Sequence, residues 1–364
     1  MVEWKKLGEV CAFNRGKTIT AKDAVDGDIP VIAGGQTPSY YHNEFNREGE
    51  SITVAGSGAY AGFVSYWNQP IFVSDAFTID PLKGLKHKYL FHWAKMNQGR
   101  IIATQKGAGV PHVHGKDIAN FLIPIPSLSE QQRIVSILDT FTSSISNLKQ
   151  QIEERRKQYE YERNLLLDLE GKEGVEMKKL GEVGDICMCK RIMKDQTSEK
   201  GDIPFFKIGT FGGKADAYIS RELFEDYKEK YSYPKKGEIL ISAAGTIGRT
   251  VVFNGEDAYF QDSNIVWISN NEQLVLNTFL RYLYVVIDWK IDGGTIKRLY
   301  NYNLKNATIY VPTLQAQSRI VSILDTFEQS ISNLEEQLAM REKQYEYYRN
   351  LLLTFEGEEE RGKT

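Results

Sequence analysis

Residues 133–171 read RIVSILDTFTSSISNLKQQIEERRKQYEYERNLLLDLEG, and residues 319–357 read RIVSILDTFEQSISNLEEQLAMREKQYEYYRNLLLTFEG. The two stretches align without a gap and agree at 28 of 39 positions. The residues that precede each stretch match each other only in scattered places. The repeating unit is therefore a variable globular block followed by a nearly constant helix-forming segment, an arrangement that presents two different surfaces on one spacer.

Apolar side chains recur in both stretches at alternating spacings of three and four residues, which is a heptad pattern. The predicted seam comprises Leu138, Phe141, Ile145, Leu148, Ile152 and Tyr159 in the first copy and Leu324, Phe327, Ile331, Leu334, Leu338 and Tyr345 in the second. A helix of about 40 residues is roughly 60 Å long, too long to bury this stripe within either block. We expect the helices to pair antiparallel, because parallel pairing would make residues 171–318 bridge that length. A dimer between separate chains is the alternative.

Helix start and stop signals divide the chain. Pro126 and Pro312 precede the two stretches, and Gly171 and Gly357 are suitable terminators. The sequence predicts a globular domain 1, a first long helix, a globular domain 2, a second long helix and a disordered acidic tail. These segments cover residues 1–128, 129–171, 172–314, 315–357 and 358–364, respectively.

Short echoes indicate that the two globular domains share a fold. KKLGEV occurs at residues 5–10 and 178–183, and GDIP occurs at 27–30 and 201–204. A strand, a glycine-containing turn and another strand are predicted in both domains. The expected fold class is mixed α/β: two related, strand-rich domains separated by two long antiparallel coiled-coil helices, with pseudo-twofold symmetry.

Composition permits DNA binding without requiring it. The net charge is -3, with 41% hydrophobic and 26% charged residues, as in ordinary globular proteins. Domains 1 and 2 carry 13 basic against 11 acidic and 20 against 19 side chains, so positive charge is local. The sequence has no long apolar run that would span a membrane, and three cysteines are too few for a disulfide framework. We expect a cytoplasmic protein.

The candidate nucleic-acid contacts are polar side chains placed between the echoes, where the domains differ. Such groups can reach base edges or phosphates. They are Lys106, His112, His114 and Lys116 in domain 1, and Arg249, Lys297, Arg298, Asn301 and Lys305 in domain 2. His112 and His114 lack further ligands for a metal site, and we expect no bound metal. For any one of these residues, an ordinary solvated loop position is equally compatible with the sequence.

Enzymatic alternatives find little support. Residues 56–61 fit a GxGxxA pattern, but the following FVSYWNQPIFV predicts a strand where a dinucleotide site needs a helix. No GxxxxGKS phosphate loop occurs. No two of the ten prolines are adjacent, whereas amino-methyltransferases hold the flipped base with a loop of adjacent prolines. We expect a chain without an active site of its own.

The helix entry IPIPSLSEQQRIVSILD at residues 123–139, its partial echo and the repeat order resemble the specificity subunit of type I restriction-modification enzymes. This resemblance covers the whole chain and includes the opening KKLGEV and the GTIG turn at 245–248. The residues matching the helix-entry motif, to which it assigns partner docking, are Pro126, Leu128, Glu130, Gln131 and Ile134 in the first copy, with Gln317 and Ile320 in the second. Ala316 replaces the acidic residue there, so partner contact at that end is expected to differ.

The resemblance implies two target recognition domains, each reading one half of a split, asymmetric site in double-stranded DNA. Two methyltransferase subunits would dock on the helices, and two restriction/translocase subunits would join the full complex. S-adenosylmethionine, ATP and magnesium are then expected on the partner subunits, not on this chain. If each domain is inset from the end of a rod of about 60 Å, the domains are about 35 to 50 Å apart. At 3.4 Å per base pair, the half-sites would then lie about 10 to 15 base pairs apart. A coiled-coil protein adaptor without DNA binding is the second hypothesis.

Overall fold

The structure, a computed structural model, describes residues 2–291 and 297–355. These residues form two compact units. Unit 1 comprises residues 2–151 and 334–355, and unit 2 comprises 152–291 and 297–333. Each unit therefore contains one globular domain and part of each long helix. The predicted tail and Gly357 lie outside the described residues.

Unit 1 is built from nine strands, four short helices and its share of the long helices. The strands are β1 (Glu3–Lys6), β2 (Cys11–Arg15), β3 (Ile29–Ile32), β4 (Tyr40–His42), β5 (Glu50–Ala55), β6 (Val64–Asn68), β7 (Phe72–Val73), β8 (Ala76–Pro81) and β9 (Leu122–Ile125). The helices are α1 (Leu7–Val10), α2 (His87–Met96), α3 (Gln98–Ile102), α4 (Gly115–Ile118) and the first long helix α5 (Leu128–Leu167).

Three sheets organise domain 1. The largest is antiparallel, with strand order β2-β8-β5-β6. A second has the order β4-β3-β7, in which β3 and β7 run parallel. The third pairs β1 with β9 and so ties the start of the chain to the strand that leads into α5. Tyr89, Leu90 and Trp93 of α2 are buried in the same core as Ile52 and Val54 of β5.

Unit 2 repeats this arrangement. Its strands are β10 (Glu176–Lys179), β11 (Gly184–Cys187), β12 (Ile203–Phe206), β13 (Ala217–Ile219), β14 (Ile239–Ser242), β15 (Thr250–Val252), β16 (Tyr259–Phe260), β17 (Ile265–Asn270) and β18 (Thr308–Val311). Its helices are α6 (Arg221–Lys230), α7 (Asn277–Val286), α8 (Asn301–Asn306) and the second long helix α9 (Leu314–Leu353). The sheets have the orders β11-β17-β14-β15, β13-β12-β16 and β10-β18, which match those of domain 1 strand for strand.

The long helices are 40 residues each and begin one residue earlier than predicted. The first ends at Leu167, not at Gly171. The reason is that Leu169 turns into the hydrophobic core of domain 2, where only 6% of its surface is exposed. Gly171 follows with a positive φ of 69°, a conformation that favours glycine.

Within unit 1 the two helix halves run antiparallel. The rings of Phe141 and Tyr348 stack with centroids 5.2 Å apart, and Lys149 Nζ lies 2.9 Å from Glu342 Oε1. As the chain advances along α5, its partners on α9 therefore come from earlier positions. The Arg341 guanidinium lies 5.7 Å from the centre of the Phe141 ring, so an arginine packs at the seam through a cation–π contact.

Unit 2 contains the equivalent pairing. The Arg155 guanidinium lies 5.9 Å from the Phe327 ring centre, the same contact with the two helices exchanged. Tyr159 packs against Phe327 and donates its hydroxyl to Glu328 Oε1 at 3.0 Å. Every one of the twelve predicted seam residues is buried or half-buried, while most of their neighbours are exposed. The contacts of Phe141 with Tyr348 and of Lys149 with Glu342 establish antiparallel pairing in unit 1, and the contacts of unit 2 show that the same two helices also pack together there.

Candidate nucleic-acid interface

A tight turn joins two strands of the large sheet in each domain. In domain 1 it connects β5 to β6 and contains Gly58 and Gly62, with φ of 82° and 89°. In domain 2 it connects β14 to β15 and contains Gly245 and Gly248, with φ of 65° and 83°. These positive φ values favour glycine, because a residue with a Cβ is crowded by its own backbone in this conformation. In both domains the turn leads into a strand, which removes the helix that a dinucleotide site at residues 56–61 would need.

A second loop of domain 1 pairs with this turn. His112 forms an antiparallel bridge with Ser57, and the N–H of Val113 donates to the carbonyl of Gly56 at 3.0 Å. The loop that carries His112 and His114, which we call the histidine loop, is thereby fixed against the turn by backbone hydrogen bonds.

Domain 2 contains the same pairing with different side chains. Arg298 bridges Ala244, and the N–H of Leu299 donates to the carbonyl of Ala243 at 2.9 Å. Arg298 therefore occupies the position that His112 occupies in domain 1. The common backbone frame carries an imidazole in one domain and a guanidinium in the other.

Three of the four domain 1 candidates lie together at an open cleft. His112, His114 and Lys116 are exposed, and the two imidazole rings stack with centroids 6.2 Å apart and planes within 5°. Arg15 and Asp75 also line the cleft, whose volume is about 460 Å³. The sequence did not predict these two residues as DNA contacts. Nothing in it places the end of β2 and the residue before β8 beside the loop that carries His112 and His114.

Lys106 carries an ion pair. Its ammonium, on a side chain that is 67% exposed, binds Asp117 of α4. The hydrogen bond from Lys106 holds the pKa of Asp117 below its usual range. The lysine end of this pair is open to solvent, which weakens an ion pair, so a phosphate can compete for the ammonium.

Two domain 2 candidates make hydrogen bonds inside their own domain; these argue against a DNA contact for the half-buried Arg298, whereas Arg249 is exposed. Arg298 is half-buried, and its Nη2 donates to the carbonyl and hydroxyl oxygens of Ser263, both at 2.8 Å, and to Asn264 Oδ1 at 3.2 Å. Arg249 Nη1 donates to the carbonyl of Phe211 at 2.8 Å. Both guanidinium groups hold neighbouring segments of domain 2 together.

The remaining domain 2 candidates, Lys297, Asn301 and Lys305, are exposed. Between them Tyr300 and Tyr302 are 49% and 75% exposed. Exposed tyrosines combine a flat ring with a hydroxyl and suit contacts with nucleic acid or protein. Domain 1 has His114 and Lys116 at the positions that correspond to these tyrosines in the repeat, so equivalent sites again differ in chemistry.

The helix-entry motif proves to be largely internal. Gln131 is fully buried: its side-chain oxygen accepts from Lys86 N–H at 2.9 Å, and its amide donates to the carbonyls of Gly84 and Pro126 at 2.9 and 3.0 Å. The glutamine therefore fastens the start of α5 to domain 1. Ile134 is also fully buried.

The second copy has the same fastening. Fully buried Gln317 accepts from Leu276 N–H at 2.9 Å and donates to the carbonyls of Leu274 and Pro312, both at 2.8 Å. Ile320 is 7% exposed. The expectation of partner docking is corrected for the buried motif residues, since burial inside the unit leaves no surface for a partner. Of the first motif, Leu128 is exposed at 52% and Glu130 is half-buried.

Over residues 2–291 and 297–355, no helix is both long and apolar enough to cross a membrane. Within the same residues, no group of three or more His, Cys, Asp or Glu side chains is arranged to hold a metal ion.

Comparisons with known proteins match the duplicated architecture. The family model described as type I restriction modification DNA specificity domain matches twice, at residues 1–155 and 172–340. A putative type I restriction enzyme specificity subunit from Haemophilus influenzae is 45% identical over 97% of this chain and 96% of its own length. The EcoR124I/EcoR124II specificity subunit from Escherichia coli is 28% identical over 97% of this chain and 94% of its own.

A solved structure has the same fold. The type I restriction-modification S subunit from M. genitalium superposes with a TM-score of 0.67 at 18% identity, covering 97% of both chains. The family match includes both domains and most of both helices, and it favours the DNA-specificity hypothesis over the adaptor. The chain belongs to the type I restriction-modification DNA specificity family.

Proposed function

We propose that this chain is the sequence-specific DNA-binding subunit of a type I restriction-modification complex, with domain 1 and domain 2 each recognising one half of a bipartite, asymmetric target. One observation carries the proposal: the two domains share a backbone frame of turn and paired loop but carry different side chains on it. His112 corresponds to Arg298 and His114 to Tyr300. Because side chains read the base edges, two domains with the same backbone frame and different side chains can recognise two different half-sites.

The helices support a proposal about partners. Outside the pairing seam, each helix carries an exposed tyrosine and leucine four residues apart, hence on one face. Tyr161 and Leu165 of α5 are 67% and 50% exposed, and Tyr347 and Leu351 of α9 are 63% and 57% exposed. We call these the exposed Tyr–Leu pairs. They are identical in the two copies although the domains differ, which fits one kind of partner binding twice.

These pairs replace the buried helix-entry residues as our candidates for partner contact. Exposed tyrosine and leucine side chains on a helix can bury apolar surface against a partner. Tyrosine is also enriched among the interface residues that contribute most to binding. The proposed partners are two methyltransferase subunits, joined in the full complex by two restriction/translocase subunits. A solved chain from a study of complex assembly in the type I system shares this fold, with a TM-score of 0.60 at 20% identity.

The proposed division of labour leaves chemistry to the partners. Adenine methylation with S-adenosylmethionine, and ATP- and magnesium-dependent cleavage, would take place on partner subunits, while this chain chooses the DNA. Because that DNA is the cell's own chromosome or an invading molecule, the proposed place of action is the cytoplasm.

Binding of duplex DNA at two salt concentrations tests the proposal. The full-length chain, alone and with its methyltransferase partner, is titrated with a pool of duplexes at about 50 and 200 mM salt. A reader making 6 to 10 phosphate contacts loses affinity by about 10³ to 10⁵ over this range. Absence of binding at both concentrations, with and without the partner, would contradict DNA recognition and favour the adaptor.

A further inference from the structure

The domain 1 cleft combines an apolar floor with one carboxylate. Phe77 is 6% exposed and Phe13 half-buried, and both line it together with the exposed Asp75. The lining also carries the polar side chains of Arg15, His112, His114 and Lys116, and in ligand-binding cavities such groups fix the orientation of the ligand. The position of the polar group then decides which ligand fits.

Asp75 is oriented by the turn. Its Oδ2 accepts a hydrogen bond from the Ser57 hydroxyl, and its backbone carbonyl accepts from the N–H of Gly56 at 3.1 Å. Ser57 is in turn bridged to His112. An ionised carboxylate only accepts hydrogen bonds and has about four lone-pair sites, so acceptor capacity remains beside the serine.

Positive or donor groups surround this carboxylate. Arg15, His112, His114 and Lys116 are exposed and line the same cleft. Arginine and lysine bind phosphates, and imidazoles donate hydrogen bonds to them. The repulsion between Asp75 and a DNA backbone is therefore offset locally, and the carboxylate can approach a duplex.

Domain 2 shows which chemistry fits at this position. Asn264 is the counterpart of Asp75, since its carbonyl accepts from the N–H of Ala243, the counterpart of Gly56. The side-chain oxygen of Asn264 receives an N–H from Arg298 at 3.2 Å. Domain 2 thus supplies a donor from its own chain. In domain 1 the equivalent residue is His112, whose ring instead stacks on His114.

We propose that Asp75 is a specificity-determining residue: it accepts a hydrogen bond from the exocyclic amino group of an adenine or a cytosine in the half-site read by domain 1. In the major groove, adenine N6 and cytosine N4 are the base donors, whereas guanine presents N7 and O6 acceptors and thymine presents its O4 acceptor. A carboxylate repels acceptors, so guanine and thymine are disfavoured there. The inference rests on the proposed function and adds the class of base that is read and the residue that reads it.

Selection of bound duplexes from a randomised library tests the inference. The full-length chain, co-expressed with its proposed methyltransferase partner, is compared with Asp75→Asn, Asp75→Ala and the domain 2 control Asn264→Asp. The wild type should select a bipartite motif with a strong preference at one base pair of one half-site, where the amino group of an adenine or a cytosine faces Asp75. Asp75→Ala should lower that preference by roughly 10- to 100-fold, the range of one good base contact.

The other variants refine the outcome. In Asp75→Asn the amide can also donate, so guanine or thymine should become tolerated at the same position while the other half-site keeps its sequence. Asn264→Asp should leave the motif unchanged, because Arg298 occupies that carboxylate. Unchanged thermal unfolding of the Asp75 variants shows that they fold, as expected for an exposed side chain.

Two results separate the possible failures. A bipartite motif that is identical for wild type and both Asp75 variants overturns the inference alone and leaves DNA recognition standing. A wild-type complex that selects no motif overturns the proposed function and the inference together.

Discussion

At the scale of single residues, equivalent aspartates on the two long helices show how the repeat has diverged. Asp139 of α5 lies 3.1 Å from His92 Nε2 and 2.6 Å from Lys88 Nζ. Asp325, its counterpart on α9, accepts the hydroxyl of Tyr282 at 2.6 Å. The aspartates perform the same task, which is to fasten a helix to the short helix α2 or α7 of its own domain. Only the first does so with a buried imidazole and an ammonium.

Replacing Asp139 by asparagine should destabilise the chain. Burial alone would raise the pKa of Asp139, but hydrogen bonds from His92 and Lys88 outweigh it and hold the pKa below its ordinary value. A depressed pKa means stabilisation that is complete above the unfolded-state pKa of about 3.9 and lost as pH falls through the folded-state pKa. At neutral pH we expect a loss of about 1–3 kcal/mol in the free energy of unfolding. Denaturant titrations at neutral pH and at about pH 3.5 measure it.

The control for this variant is Asp325→Asn. An amide oxygen still accepts the Tyr282 hydroxyl, and the ion pair that Asp325 makes is long, with Arg281 Nη1 3.8 Å away. The Asp325 side chain is also more exposed than that of Asp139, 55% against 30%. We therefore expect a smaller loss. Equal losses for the two variants, or a loss for Asp139→Asn that does not shrink in acid, would contradict the charged contact.

The buried glutamine of the helix entry gives a second prediction at this scale. Gln131→Ala leaves the N–H of Lys86 and the carbonyl of Gly84 without the side-chain partner that satisfies them. An unsatisfied buried polar group costs about 1–3 kcal/mol, and we expect a loss of unfolding free energy in that range. The neighbouring Gln132 is exposed, so Gln132→Ala should change stability by less than about 0.5 kcal/mol. If both substitutions are neutral in thermal unfolding, the glutamine does not fasten the helix.

At the scale of elements, the long helices divide their surfaces between pairing and display. The seam turns aromatic and aliphatic side chains inward, and arginine fits the seam by lying over phenylalanine in both units. The exposed Tyr–Leu pairs are left on the outside of the same helices. A helix of this length can perform both roles because its heptad stripe uses only part of its circumference.

Substitution of one exposed Tyr–Leu pair should remove one partner. Tyr347→Ala with Leu351→Ala is expected to yield complexes with one methyltransferase subunit in place of the proposed two, since each pair would contact one subunit. Native mass spectrometry of the co-expressed complex measures the stoichiometry. Tyr161→Ala with Leu165→Ala should give the same result through the other pair.

Met340→Ala is the matched control for the Tyr–Leu variants. Met340 is 62% exposed and apolar, but Glu154 occupies its position in the other copy. An unduplicated side chain is not expected to bind a duplicated partner, so stoichiometry should remain at two. Full occupancy in both double variants would remove the pairs from the interface.

At the scale of the whole molecule, the duplicated helices are expected to set the distance between the half-sites. Deleting residues 146–152 and 332–338 together removes one heptad from each helix and keeps the seam in phase. Each helix shortens by about 10 Å, so we expect a spacer about three base pairs shorter with both half-sites unchanged. Motif selection from a randomised library reads the spacer directly.

Deletion from one helix only is the control for the spacer prediction. It puts the antiparallel seam out of register and should lower thermal stability instead of shortening the spacer. An unchanged spacer in the folded double deletion would show that the helices do not set the spacer length.

Much of the architecture was predictable from the sequence. Heptad spacing and an exact repeat order predicted paired antiparallel helices, and the contacts between the two helices in unit 1 confirm that orientation. The strand, turn and strand around the glycine turns were likewise predictable, because alternation and glycine act over a few residues. The partner-docking residues were not: Gln131 and Ile134 looked like a surface motif but lie inside unit 1.

The sequence by itself determined the duplication, the two long helices and the related, strand-rich domains, because periodicity and local backbone preferences are written in neighbouring residues. The tertiary structure decided which polar groups are available. It placed Asp75 in the same cleft as His112 and His114. It also bound the Arg298 guanidinium to other residues of domain 2 and left the exposed Tyr–Leu pairs uncovered. The physical reason is that burial and hydrogen-bond partnership depend on segments distant in the chain, and no local pattern records which distant segment arrives.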